Sequence, residues 1–161
     1  MSLRPVIAAD LGKHLHAIVA VGTDECPILR EWERWDVWTP DAIIGQMKIW
    51  AKQYDGARLW CEATFSHGTK RKGYLRDVGR FQEGQAGFLT GALSGVCEVL
   101  RVPPVNGNEA QVAWIQFGRP EIGKGRKGEH YRDCMGVGLK GLIRQRTRQN
   151  ELAAEAAERT D

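Results

Sequence analysis

The tightest constraint on this chain is the way its first apolar run ends. Val6, Ile7, Ala8 and Ala9 form a short unbroken run, Asp10 closes it, Leu11 and Gly12 follow at once, and a second apolar run begins at Ala17. The run reads as a buried N-terminal strand. A carboxylate at the mouth of such a strand is costly unless a cation or a partner neutralises it, so the fold has to bring something to Asp10. Two further places supply candidates. Glu62 ends another apolar run, Ala57 to Cys61, and His130 and Asp133 open a C-terminal helical pattern, three residues apart and therefore neighbours on one helix face. An acid on a strand, a second acid on a strand and a third on a helix, in that order, form a set of oxygen ligands suited to Mg²⁺ or Mn²⁺ and to phosphodiester chemistry.

The rest of the sequence is consistent with one domain built around that site. With 161 residues, 42% of them hydrophobic, the chain can bury a core without disulfides or a structural metal. Cys26, Cys61, Cys97 and Cys134 are scattered, with no Cys-x-x-Cys pair, and read as small buried hydrophobes of a reducing compartment. No apolar run reaches the roughly 18 residues that span a bilayer, which places the protein in the cytoplasm and away from membranes.

Periodicity predicts strand, strand, strand, helix, strand, helix, strand, loop, helix. The strands fall at Val6 to Ala9, Ala17 to Val21, Ile28 to Trp38, Leu59 to Cys61 and Val96 to Val102, the last stopped by Pro103 and Pro104. Trp32, Trp35 and Trp38 recur every three residues, which fits the third strand poorly. Thr39 as N-cap, Pro40 at the first helical position and the stripe Ile43, Ile44, Met47, Trp50 predict a helix ending near Tyr54. His14 and His16 read as turn residues after the first strand. Gly84, Gly87, Gly91 and Gly95 follow a helical spacing, so another element, the sheet or a second subunit, is expected to approach that smooth strip closely beside Phe81, Phe88 and Leu89. Cys134, Met135, Val137, Leu139, Leu142 and Ile143 cover one face of the last helix, and residues 146–161 form a polar helical tail beyond the domain at 1–145.

The formal charge is +3, and its distribution is more telling than its size. Lys70, Arg71, Lys72, Arg76 and Arg80 stand against the single acid Asp77 between Ser66 and Arg80, with His67 beside them. A second stretch runs from Arg119 through Lys124, Arg126 and Lys127 to Arg132. Each lies near a candidate acid in sequence, as a site holding a polyanion against a metal would require, although two solvated loops would look the same. Asp77, Glu83, Glu109, Glu121 and Glu129 read as surface charge.

Together these motifs are similar to those of the RuvC-like Holliday-junction resolvases, which are RNase H-like nucleases: Asp10 in Ala-Asp-Leu-Gly, Glu62 followed by Phe65, Gly84-Gln85-Ala86-Gly87 opening a helix, and His130-x-x-Asp133 on the last helix. The resemblance spans roughly Val6 to Ile143. It implies an α/β fold with a five-stranded mixed sheet flanked by helices, a homodimer facing a four-way DNA junction, and two Mg²⁺ or Mn²⁺ ions per active site. It makes Asp10 the metal-bridging acid, Glu62 the second acid, Asp133 the helix acid and His130 the occupant of a position filled by Asp or His. Phe65 takes the place of an aromatic inserted near the junction centre, and the helix around Gly84 to Leu93 that of the dimer contact. The DNA-facing residues are then Phe65, Lys70, Arg71, Lys72, Arg76, Lys124, Arg126 and Lys127.

The sequence also departs from the family. Lysines common after the last strand are missing between Val105 and Gln116, which leaves Lys124 or Lys127 to supply that charge, and the basic loop is richer than in the cellular enzyme and closer to compact phage-encoded relatives. Taken singly, Asp10 also reads as a turn residue, Glu62 as a helix cap, His130 and Asp133 as a helix N-terminal pair, and Phe65 as core. Gly12-Lys13 resembles the phosphate turn of actin-like sugar kinases, but the chain is too short for their second domain. Two functions follow: a metal-dependent, structure-selective endonuclease, or a catalytically silent RNase H-like module that binds branched or single-stranded nucleic acid.

Overall fold

In the computed structural model, which describes residues 3–63, 73–122 and 125–160, five strands form one mixed sheet. They are β1 (Val6–Asp10), β2 (Leu15–Gly22), β3 (Pro27–Trp35), β4 (Arg58–Glu62) and β5 (Val99–Val102), in the order β3-β2-β1-β4-β5. β2 runs antiparallel to both β1 and β3, whereas β1 and β4, and β4 and β5, are parallel. The helices are α1 (Pro40–Gln53), α2 (Gly73–Ala92), α3 (Gly107–Gln116) and α4 (Arg126–Thr160). This is the five-stranded mixed sheet flanked by helices that the motifs imply.

The period of two along a strand sorts the core into two layers. Ile7, Ala9, Ala17 and Val19 face Ile43, Met47 and Trp50 of α1 and Ala86, Leu89 and Leu93 of α2. Val6, Ala8, Ile18, Ala20 and Trp60 face Ala113 of α3 and Cys134, Met135, Val137 and Leu142 of α4. Counting on by twos, Asp10, His16 and Glu62 belong to the α4 side, so the parity of three strands decides where the acids go before any detail of the site is considered. No helix among the described residues is long and apolar enough to cross a membrane.

Several sequence expectations need correction. β3 ends at Trp35, and the chain bends at Asp36 and Val37, which is why Trp38 breaks the alternation. Thr39 is the N-cap residue of α1, but its hydroxyl donates to the Val37 carbonyl (3.4 Å) and leaves the helix N–H groups alone. β5 begins at Val99, because Ser94 to Val96 turn out of α2 through Gly95 at φ 81°. The loop expected before the last helix contains α3, started by a reciprocal capping box in which Asn106 accepts from the Glu109 N–H (2.8 Å) and Glu109 accepts from the Asn106 N–H (3.1 Å). α2 starts at Gly73, so Gly84-Gln85-Ala86-Gly87 lies mid-helix and Arg76 stands on a helix where a loop was expected.

The glycine strip is the largest correction. A Cβ added at Gly84, Gly87 or Gly91 would meet nothing within 4 Å among the described residues, so the sheet does not approach it. The expected close approach occurs on α4. A Cβ at Gly138 would make an ordinary contact with Ala8 at 3.5 Å, whereas one at Gly141 would meet the Trp60 ring at 3.0 Å, so Gly141 lets a long helix lie directly on β4. The prediction is a contrast between the two helices. Gly141→Ala should lose about 1–3 kcal/mol through overpacking, while Gly84→Ala should gain up to about 1 kcal/mol through helix propensity; urea denaturation of the two variants measures both.

Candidate active site

β1 and β4 are adjacent and parallel, with Ala9 level with Cys61, so Asp10 and Glu62 leave the same carboxyl edge of the sheet side by side. Ligand sites of open α/β sheets lie beyond that edge. The turn after Asp10 is held from the other layer, where the Gln82 Nε2 donates to the Leu11 carbonyl and the Gln85 Nε2 to the Gly12 carbonyl, both at 2.9 Å. Gly12 itself sits at φ 151°, a backbone setting that side chains disfavour.

α4 crosses this edge and brings His130 to Asp10, the His130 Nδ1–H donating to Asp10 Oδ2 at 2.7 Å. One turn on, Asp133 enters the same electrostatic field. The charges are crowded. Burial, and then the charge of Asp10, push the Glu62 carboxyl up to about 7, and the same two causes push Asp133 up to about 6. Burial also raises Asp10, against the opposing pull of His130. The hydrogen bond to Asp10 raises His130, outweighing the loss of solvation that lowers it. Glu62 accepts from the Val105 N–H at 3.3 Å from Oε1.

His16, read from the sequence as a turn residue, lies in β2 directly opposite Asp10, is 1% exposed, and stacks on His130 with ring centroids 4.6 Å apart and planes 12° from parallel. Burial, and then the charge of His130, lower it to about 4, so it is neutral at ordinary pH. Neither of its ring nitrogens has a hydrogen-bond partner among the described residues. The missed signal was parity, since Ile18 and Ala20 already place His16 on the α4 side. His14 does sit in the turn, where its Nδ1–H donates to the Asp36 carbonyl at 2.7 Å.

Ligand atoms of Asp10, His16 and His130 lie within 4.8 Å of one another. Glu62 and Asp133 stand outside that trio and are coupled to it through charge. The donor set fits a divalent cation: hard carboxylate oxygens that repel one another when bare, with imidazole nitrogens beside them, two of these buried and without a partner among the described residues. Phe65, Lys70, Arg71, Lys72 and Lys124 lie outside the described residues, as does His67, and the side chains of Arg76, Arg126 and Lys127 are likewise undescribed. Two acids expected to be plain surface charge have partners: Glu83 pairs with Arg101 (2.7 Å) and Glu109 with Lys140 (2.9 Å). A small cleft beside Asp133 is lined by Gly107, Gln111, Glu129 and Arg132, with the Arg132 guanidinium lying over the Trp114 ring at 5.3 Å.

No protein-family model and no curated protein sequence matches the chain. Its fold does match solved structures. Thermus thermophilus RuvC superposes with a TM-score of 0.53 at 14% identity, covering 84% of this chain and 92% of that one. The same protein in complex with a Holliday-junction substrate gives 0.56 at 15% identity, covering 85% and 91%. Fowlpox virus resolvase in complex with its substrate Holliday-junction DNA gives 0.56 at 14% identity, covering 86% and 97%. The chain therefore has the fold of the RuvC-type resolvases over most of its length.

The crowding has a consequence for stability. A carboxyl whose folded value is raised binds more protons folded than unfolded, so the stability it contributes is lost as pH rises; for Glu62 the window runs from its ordinary 4.5 to about 7. His16 contributes the opposite slope between about 4 and 6.5, so the acid term is best isolated by difference. In EDTA, Glu62→Gln should melt about 3–8 °C above the unmodified protein at pH 8, and the gap should close toward pH 4. Thermal melts across that range, repeated with Mg²⁺, measure it, and the cation should narrow the gap.

Proposed function

We propose that the chain is a divalent-metal-dependent endonuclease that resolves four-way and other branched DNA junctions by phosphodiester hydrolysis. The observation that carries this reading is the convergence of Asp10, Glu62, His130 and Asp133 at the carboxyl edge of β1 and β4, with the acids pushed toward neutrality by burial and by one another. A surface charge cluster has no reason to be buried in this way, and a module that only binds nucleic acid gains nothing from acids facing a polyanion. The fold shared with two proteins solved on Holliday-junction DNA supports a branched substrate.

Asp10, Glu62 and Asp133 would hold two Mg²⁺ or Mn²⁺ ions, with His130 beside them. Such ions polarise the phosphate and supply hydroxide-like water at neutral pH. The chain's own residues do the remaining work. Asp10 accepts from the His130 Nδ1–H and so fixes the ring plane, which leaves Nε2 as the atom able to take a proton from an attacking water. His16 stacks against the other side of that ring and keeps it from rotating. Phe65 would enter the junction centre, and Lys70, Arg71, Lys72, Arg76, Lys124, Arg126 and Lys127 would hold its phosphates. A homodimer would place two such sites on one junction, and the open strip at Gly84, Gly87 and Gly91 offers a smooth surface for a second copy.

The test is a labelled four-way DNA junction incubated with the purified protein in Mg²⁺ and in EDTA. Asp10→Asn, Glu62→Gln and Asp133→Asn should each reduce cleavage to background while junction affinity in EDTA is kept. His130→Ala should slow it by about 10²–10⁴-fold. Binding without cleavage by the unmodified protein in Mg²⁺ would favour the silent module instead. Removing Lys70, Arg71, Lys72 and Arg76 together should weaken binding to all sequences alike and flatten the plot of log affinity against log salt by roughly 0.9 for each lost phosphate contact.

A further inference from the structure

Lys140 stands one turn beyond Gly136 on α4, and both meet the segment that joins β5 to α3. The Lys140 ammonium donates to the Pro104 carbonyl (3.0 Å) and the Pro103 carbonyl (3.3 Å) and pairs with Glu109 Oε2 (2.9 Å). An ammonium has three N–H donors and no acceptor, so these three oxygens use it completely. Lys140 is therefore not available to a DNA phosphate, although it lies near the active site and its charge is felt by Glu62.

Among the described residues, the segment it grips has few other hydrogen-bond restraints. Pro103 and Pro104 have no N–H to give, and the next donor, the Val105 N–H, goes to Glu62 Oε1 at 3.3 Å. Beyond it, Asn106 and Glu109 close the capping box, with Oε1 of Glu109 on the Asn106 N–H and Oε2 on Lys140. From below, Gly136 receives the Val105 side chain: a Cβ at 136 would lie 2.5 Å from Val105 Cγ1 and 3.3 Å from Cγ2, too close for any ordinary contact.

We propose that Lys140 and Gly136 are positioning residues that clamp the 103–106 segment so that the Val105 N–H fixes the Glu62 carboxylate for metal binding. The inference rests on the metal-dependent reading above and assigns residues that act through Glu62 and touch neither ion nor DNA. Removal of groups that orient a metal ligand commonly costs ten- to a hundredfold in metal affinity.

Mn²⁺ binding, followed by electron paramagnetic resonance of the free ion, tests the proposal without relying on activity. Lys140→Met and Gly136→Ala should each weaken Mn²⁺ binding about tenfold or more, with four-way-junction affinity in EDTA unchanged and Lys140→Arg recovering most of the loss. Amide hydrogen exchange at Val105 should be slow in the unmodified protein and faster in both variants. If Lys140→Met does not fold, Gly136→Ala, which displaces Val105 without removing a polar group, carries the same expectation. Folded variants that bind Mn²⁺ as the unmodified protein does would overturn the clamp and leave the metal reading standing. Failure of the unmodified protein itself to bind Mn²⁺ would overturn that reading, and the clamp with it.

Discussion

The molecule is organised around an electrostatic conflict. Parallel pairing of β1 with β4 sets Asp10 and Glu62 side by side at one sheet edge, and the α4 crossing adds Asp133. Three carboxylates in a partly buried space repel one another and lose hydration at the same time, and both effects raise their proton affinity. Without cations a fold loses stability by such an arrangement as pH rises; with them, the repulsion becomes affinity for the ion. Much of the surrounding structure keeps these groups from relaxing away from one another.

That restraint comes from both layers. On the α2 side, Gln82 and Gln85 hold the turn that follows Asp10, and on the α4 side His130 takes one Asp10 oxygen while His16 lies flat against the His130 ring. The stacking angle limits what His16 can do, because nearly parallel rings cannot aim both sets of in-plane lone pairs at one ion. In this arrangement only one of the two rings can aim at a given ion. Cys134 adds a tie on the same face, its thiol donating to the His16 carbonyl at 3.3 Å.

How much was legible from the sequence depended on whether a residue's role follows from local period. The five strands, the acids at their ends and the His130, Asp133 pair follow from periods of two and of 3.6, and each can be read within a few residues. α3 was missed although Asn106 and Glu109 stand at capping-box spacing just after the two prolines that stop the strand. His16 was missed because β2 was started two residues late; extending the alternation back from Ile18 would have placed it inside. The sheet contact offered for the glycine strip failed for a different reason. Spacing shows that a helix has a smooth strip but not what lies against it, and the glycines that are covered, at 136, 138 and 141, sit in a helix whose apolar face already looked complete.

The same distinction accounts for a fold recognisable at 14–15% identity when no sequence match is found. What the architecture demands is parity and reach: an acid at the right end of two neighbouring parallel strands, and a helix able to lie close enough to bring its own acid and histidine to them. Many apolar residues satisfy the first demand equally well. The second leaves a narrower mark, because α4 lies over Trp60 at Gly141, where an added Cβ would meet the ring at 3.0 Å. Closeness of the helix, more than the identity of the core, is what converts two strand-end carboxylates into a site.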